Sequence, residues 1–243
     1  MSTRMYGSLA RIADFEHSNF EVTKLDRSVW ATGDYVEGQV IGIPTRLYRI
    51  EDRTGHMIQV EPGDWVIGAL GERAATLEGV GGWADITDSG HMHALTSAAL
   101  MGRYTSFSTL FPDPMELVYR GHLCRNGEKV CMRDFAMRSE THAFSVPTLL
   151  LFGSSMSAGK TTTGRRVCKE LDRAGMYIIG AKLTGAGRYR DILSYLKNGA
   201  REIYDFVDVG LPSTVVPEQD FREAIRPLLN HINERKPEPV SYT

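Results

Sequence analysis

The chain has 243 residues, 42% of them apolar and 24% charged, with a formal net charge of −2. That length suits one large domain or two modest ones. The charge excludes a nucleic-acid footprint, and no apolar run approaches the roughly 20 residues of a membrane span.

Three cysteines are too few and too odd in number for a disulfide framework, and they fit a reducing cytoplasm. The N-terminus lacks the apolar core of a secretory signal, so the expected location is cytoplasmic. Charge is unevenly divided. Residues 1–146 carry 14 basic and 19 acidic side chains, and residues 147–243 carry 14 and 11. The basic excess of the second part suits an anionic ligand.

Residues 34–136 read as short strands punctuated by glycine: "DYVEGQVIG", "TRLYRIED", "HMIQVE", "DWVIGAL", "RAATLEGV", "MELVYRGHLC" and "EKVCMRDF". This texture predicts a small β-barrel or sandwich, with Trp65 and Trp83 in its core or at an interface. Asn126-Gly127 is the strongest hairpin signal in the chain. A helix is expected over 92–102, "MHALTSAALMG", and a polar linker over 137–146. The mostly-β part is therefore set at residues 1–140, and its family is not recognisable from these residues.

From Pro147 the period changes. "PTLLLF" predicts a strand buried on both faces. A helix follows from about Lys160 to Ala174 and stops at Gly175. "MYIIGAKL" (176–183) is a second strand, "YRDILSYLKNG" (189–199) a short helix and "IYDFVDVG" (203–210) a third strand. Phe221, Ala224, Ile225, Leu228, Leu229 and Ile232 make one apolar helical stripe begun by Pro217, with Pro227 expected to kink it. The expected fold class is α/β: a parallel-sheet phosphate-loop domain over 147–243, behind a small β domain. Lys236–Pro239 read as a loop and Val240 as the start of a fourth strand, so the second domain is expected to be cut short.

The chemistry sits in "LLLFGSSMSAGKTTTGRRV", residues 149–167. Binding phosphate takes small residues that let backbone amides turn inward, a helix N-terminus facing the anion, a lysine and a hydroxyl for Mg²⁺. Gly153, Ser154, Ser155, Met156, Ser157, Ala158, Gly159, Lys160, Thr161 and Thr162 supply that series. The first glycine stands one place earlier than in the common loop, at Gly153, with Ser154 after it.

This Gly-x-x-x-x-x-Gly-Lys-Thr pattern resembles the loop of dethiobiotin synthetases, where a hydroxyl residue also follows the early glycine. Gly153, Ser154, Gly159, Lys160 and Thr161 match; Ser155 stands where those enzymes have aspartate. They follow the first helix with a strand ending in Lys-Pro-x-x-x-Gly. Here the counterpart is "GAKLTGAG", with Lys182 at the strand end and Leu183 in place of the proline. The molybdopterin-guanine dinucleotide biosynthesis adaptor also places a lysine on this strand. Residues 147–210 thus resemble the class that includes dethiobiotin synthetase and the MinD-like ATPases. Ser155 also replaces the extra lysine of the MinD-like group.

The resemblance implies ATP and Mg²⁺ as cofactors and phosphoryl transfer to a small-molecule anionic substrate. Lys160 and Lys182 would stabilise the moving phosphoryl, and Thr161 would hold the metal. Asp208, or Asp205, would stand on the metal side, and an acid on a further strand is a rival. An ATP-driven switch whose β part binds a partner is the alternative. No membrane or nucleic-acid partner is expected, and homo-oligomerisation stays open.

Other constellations are weaker. His122, Cys124 and Cys131 surround the Asn-Gly turn, but a zinc site needs a fourth ligand, and buried free cysteines are the preferred reading. His91 and His93 form a lone pair. Arg188 and Arg190 read as solvated. "TKLD" (23–26) resembles a guanine-reading motif, but four residues are a cheap match, and ATP is the default nucleotide.

Overall fold

A computed structural model of the chain describes residues 3–15, 19–42, 49–139, 143–153 and 158–235. Its centre is a ring of five strands: β3 (Tyr35–Ile41), β6 (Trp65–Leu70), β9 (His91–Thr96), β10 (Leu100–Phe107) and β11 (Glu116–Arg125). Antiparallel pairs run β6–β3–β11–β9–β10, and β10 returns to β6 in parallel through Leu100↔Ala69 and Met101↔Leu70. The last pairing closes the sheet on itself and removes its open edges. Gly68 permits it, because a Cβ there would run into the Ala99 carbonyl.

Five further strands extend the ring. β1 (Arg4–Tyr6) lies parallel to β6, while β8 (Gly79–Gly82) pairs β10 and carries β7 (Glu72–Ala75) outside it. β2 (Glu21–Thr23) and β12 (Glu128–Lys129) both pair β11. The β11–β12 turn places Asn126 and Gly127 at φ 53° and 81°, the left-handed pair that a tight hairpin requires. Val36, Val40, Val66, Leu70, Met92, Met101 and Leu117 belong to one buried cluster. Each such side chain contributes about 1.5–3 kcal/mol by leaving water. A separate hairpin joins β4 (Arg49–Glu51) to β5 (Met57–Gln59).

The rest of the chain packs on this ring. It comprises α1 (Lys160–Arg173), β13 (Ile179–Lys182), α2 (Tyr189–Leu196), β14 (Glu202–Asp205) and α3 (Glu218–Glu234). A second buried cluster draws on both parts of the chain. Leu9, Phe15, Tyr35, Leu100 and Met132 share it with Phe206, Val207, Leu211, Ile225, Leu228 and Ile232. Close approach is built in at Gly187, where a Cβ would stand 2.5 Å from Leu9 Cδ2.

The α/β expectation is overturned. The protein is mostly β, 34% strand against 25% helix, and its main sheet is a mixed one of ten strands. Among the described residues there is no clear parallel-sheet phosphate-loop fold. Among the described residues after Pro147, the one strand pair is β13 with β14, parallel and in register Ile179↔Glu202 to Lys182↔Asp205. The run expected as the first buried strand has no strand over residues 147–153, and Leu149, Leu150 and Phe152 are 65%, 54% and 85% exposed. A buried strand needs partners on both edges, and no strand among the described residues meets this run.

The helix expected over 92–102 is also corrected, since those residues form β9, a turn and the start of β10. Helix-favouring Ala, Leu and Met side chains there are buried in a sheet, and burial overrides propensity. α3 runs on through Pro227. The loop and strand expected at 236–243 lie outside the described residues, as do linker residues 140–142.

Candidate functional site

The site begins where α1 begins. Gly159, the residue before it, has φ 82° and ψ 4°, a left-handed conformation that glycine adopts without strain. As a glycine it has no side chain with which to cap the helix, and the first turn carries no acid. Lys160 turns back along the loop: a Cβ on Gly153 would lie 2.9 Å from Lys160 Cγ, 3.0 Å from Cδ and 3.0 Å from Nζ. The glycine at 153 is what makes room for the lysine. Ser154, Ser155, Met156 and Ser157 lie outside the described residues, while Ala158 is exposed beside Gly159.

The next residues face α2. The Thr161 side chain lies beside Tyr195 and works to lower its pKa. Tyr195 fits because two glycines border it, with Cβ positions 2.7 Å from its ring at Gly164 and 3.0 Å from its Cβ at Gly180. Burial first, and then the charge of Asp191, raise the Tyr195 pKa, so its hydroxyl stays protonated at neutral pH. Thr162 Oγ1 accepts from Arg165 at 3.1 Å.

The remaining expected residues are held by other groups. Lys182 Nζ donates to Asp191 Oδ2 and to the Ala186 carbonyl, both at 2.6 Å. Asp205 is fully buried, and Asp208 Oδ2 accepts from the Asp205 amide at 2.7 Å. Both acids bind Arg11 from the 3-10 turn Ser8–Ile12, Nη2 lying 2.5 Å from Asp205 Oδ1 and 2.9 Å from Asp208 Oδ1. Burial favours a neutral Arg11, but the two carboxylates outweigh it and hold its pKa above the ordinary value. Burial, then the neighbouring Asp205 charge, push Asp208 up against the pull of Arg11. One buried and one half-buried acid share one guanidinium.

A further link has no signal in the sequence. Glu51, at the end of β4, is fully buried. Its oxygens accept from the Tyr189 amide at 2.8 Å, the Arg190 amide at 2.9 Å and the Ser8 hydroxyl at 2.5 Å. A side chain of the β-rich part therefore caps α2 and satisfies amides that a helix start leaves open. Arg11, Glu51 and Tyr195 each act across long stretches of chain, which no local motif reveals.

His122 lies 3.4 Å from Asp34 Oδ2 through Nε2 and 2.6 Å from the Tyr119 hydroxyl through Nδ1. Cys124 faces Lys129 in the hairpin, and Cys124, Cys131 and Cys168 are free. Asp26 of "TKLD" accepts from the Ser28 amide at 2.9 Å and its hydroxyl at 2.6 Å. Among the described residues no group of three or more His, Cys, Asp or Glu side chains is placed to hold a metal ion. None of the described helices is long and apolar enough to cross a membrane.

No family model matches the chain, and no curated protein or solved structure matches it either. Its function must be read from these residues.

Proposed function

We propose that the protein binds ATP at the N-terminus of α1 and transfers its terminal phosphoryl group to a small-molecule anion. The reading rests on the loop, not on a fold. One observation carries it: Lys160 opens a helix whose first turn carries no acid, and it folds back over Gly153. A lysine so placed, beside a helix start without acids, suits the charge on β- and γ-phosphates.

In the reaction the bond from the γ-phosphorus to the β–γ bridging oxygen breaks, and an acceptor oxygen bonds to that phosphorus. ADP leaves with the electron pair, and a hydroxyl acceptor passes its proton to solvent. Lys160 stabilises the charge on the moving group, which is chiefly positioning and electrostatics. Lys182 joins it by exchanging Asp191 for phosphate. Thr161 is the residue that would hold Mg²⁺, which would supply neutralisation of the triphosphate's charge. Asp205 and Asp208 contribute there only on release from Arg11. A reducing cytoplasm suits the three free cysteines.

The second reading, a nucleotide-driven switch, is favoured by the path Thr161–Tyr195–α2–Glu51, which joins the loop to the β-rich part. Titration calorimetry of ATP into Lys160→Ala tests the central claim: binding should be lost, and unchanged affinity would sink it. ADP release that depends on an added small-molecule acceptor favours the transferase. Slow hydrolysis stimulated by a protein favours the switch.

A further inference from the structure

A cavity of about 420 Å³ lies between the turn that joins β4 to β5 and the α1–α2 pair. Arg165 of α1, Arg190 and Lys197 at the two ends of α2, and His56 of the turn all line it. Arg190, Leu193, Ser194 and Lys197 are spaced i, i+3, i+4 and i+7, which is one face of a helix, and all four line the cavity. Gly55 presses on that face, for a Cβ there would collide with Leu193 Cδ1.

The charge of the cavity is one-sided. Among the described residues no carboxylate lines it. The acids nearest in the chain are engaged elsewhere. Asp52 Oδ1 accepts from the Thr54 amide at 2.8 Å, the Thr54 hydroxyl at 2.7 Å and the His56 amide at 2.9 Å. Asp191 is paired with Lys182 at 2.6 Å, and Glu51 with the first amides of α2. Neither Arg190 nor Lys197 has an acidic side-chain partner among the described residues. The Thr54 hydroxyl gives its proton to Asp52, so His56 Nδ1–H donates to Thr54 Oγ1 at 2.7 Å, and Nε2 donates to an anion only in the imidazolium form. Three cations and an imidazole thus line a volume fit for one small molecule.

We infer that this cavity binds the anionic group, carboxylate or phosphate, of a small molecule. The cavity adjoins the first helix of the loop, since Arg165 lies about 7–8 Å along α1 from Lys160. Resting on the ATP reading for this step, the bound molecule is the phosphoryl acceptor. Anion binding itself does not depend on that reading.

The test uses the full chain, with citrate as the carboxylate probe and glycerol 3-phosphate as the phosphate probe, each followed by calorimetry. At least one should bind the wild type. The Arg190→Ala/Lys197→Ala variant should bind it roughly tenfold more weakly or worse, because charge-assisted hydrogen bonds are lost, with ATP affinity unchanged. Both side chains are exposed, so the fold should stand. Arg165→Gln is the independent second variant and should weaken the same probe.

Lys160→Ala should keep the anion and lose ATP, so failure of the nucleotide reading and failure of the anion pocket are told apart. Citrate alone binding assigns a carboxylate, glycerol 3-phosphate alone a phosphate ester, and both a pocket that reads charge. Binding of neither probe to the wild type, or equal affinity in the cavity variants, overturns the inference.

Discussion

Arg11 Nη2 stands 2.5 Å from Asp205 Oδ1, with the carboxylate fully buried and the guanidinium 7% exposed. The contact ties the first turn of the β-rich part to the end of a strand in the second part. Buried pairs of this kind cost much to break, because removing one partner leaves the other charge unpaired. Arg11→Met should lower unfolding stability by about 3–5 kcal/mol. Adding Asp205→Asn should restore part of the loss. Urea unfolding of the two single variants and the double variant measures the coupling, and additive losses would show that the pair does not interact.

Glu51 offers a second test of how the parts are joined. Glu51→Ala removes the acceptor for two helix amides and the Ser8 hydroxyl at once. A loss of about 2–4 kcal/mol is expected, from a lost cap and unsatisfied buried donors. Ser8→Ala should cost less, since it leaves the helix cap intact. Hydrogen exchange should speed first at the amides of Tyr189 and Arg190.

His93 predicts a pH dependence. It is 9% exposed, and its Nδ1 accepts from the Tyr104 amide at 3.1 Å. Burial, and then the charge of His91, lower its pKa from 6.5 to about 4. The unfolded chain therefore takes up a proton at a pH where the folded chain does not. Stability is full above pH 6.5 and falls between 6.5 and about 4, by about 3 kcal/mol in total. NMR titration should place the His93 imidazole near the low value, and His93→Asn should flatten this part of the stability curve.

Gly153 separates binding from stability. It is exposed, but a Cβ would push on Lys160 along most of its length. Gly153→Ala should weaken ATP binding about tenfold by displacing the lysine, with a stability change within the ~0.5 kcal/mol usual for surface positions. Calorimetry and urea unfolding on the same preparation read the two effects. A variant with unchanged ATP affinity would show that the lysine's seat on Gly153 is immaterial to nucleotide binding.

Local pattern and tertiary context divide the sequence reading. Helices at 160–173, 189–196 and 218–234 lie where periodicity, Gly175 and Pro217 put them, since those signals act within a few residues. The Asn126-Gly127 turn is equally local. "TLLLF" carries the same apolar signal as a buried strand, yet pairing depends on what approaches its edges, and no strand among the described residues does. At 92–102 composition argues for helix, while closure of the ring puts the segment in the sheet. Gly159, Lys160 and Thr161 are legible as a loop. The bonds of Arg11 to Asp205 and of Glu51 to α2, and the approach of Tyr195 to Thr161, join distant residues that no window of sequence contains.

The Arg11–Asp205 contact spans 194 positions of the chain, and that separation bears on how the protein is made. Synthesis runs from the N-terminus, so the cation leaves the ribosome long before its acids exist. Until they arrive, Leu9 and the other apolar residues that meet Phe206 and Val207 have only part of their covering. Contacts of such long range form late and slow the search for the native state. The newborn chain therefore passes through a stage with an exposed apolar face, the condition in which chains of this size are captured by chaperones or by one another.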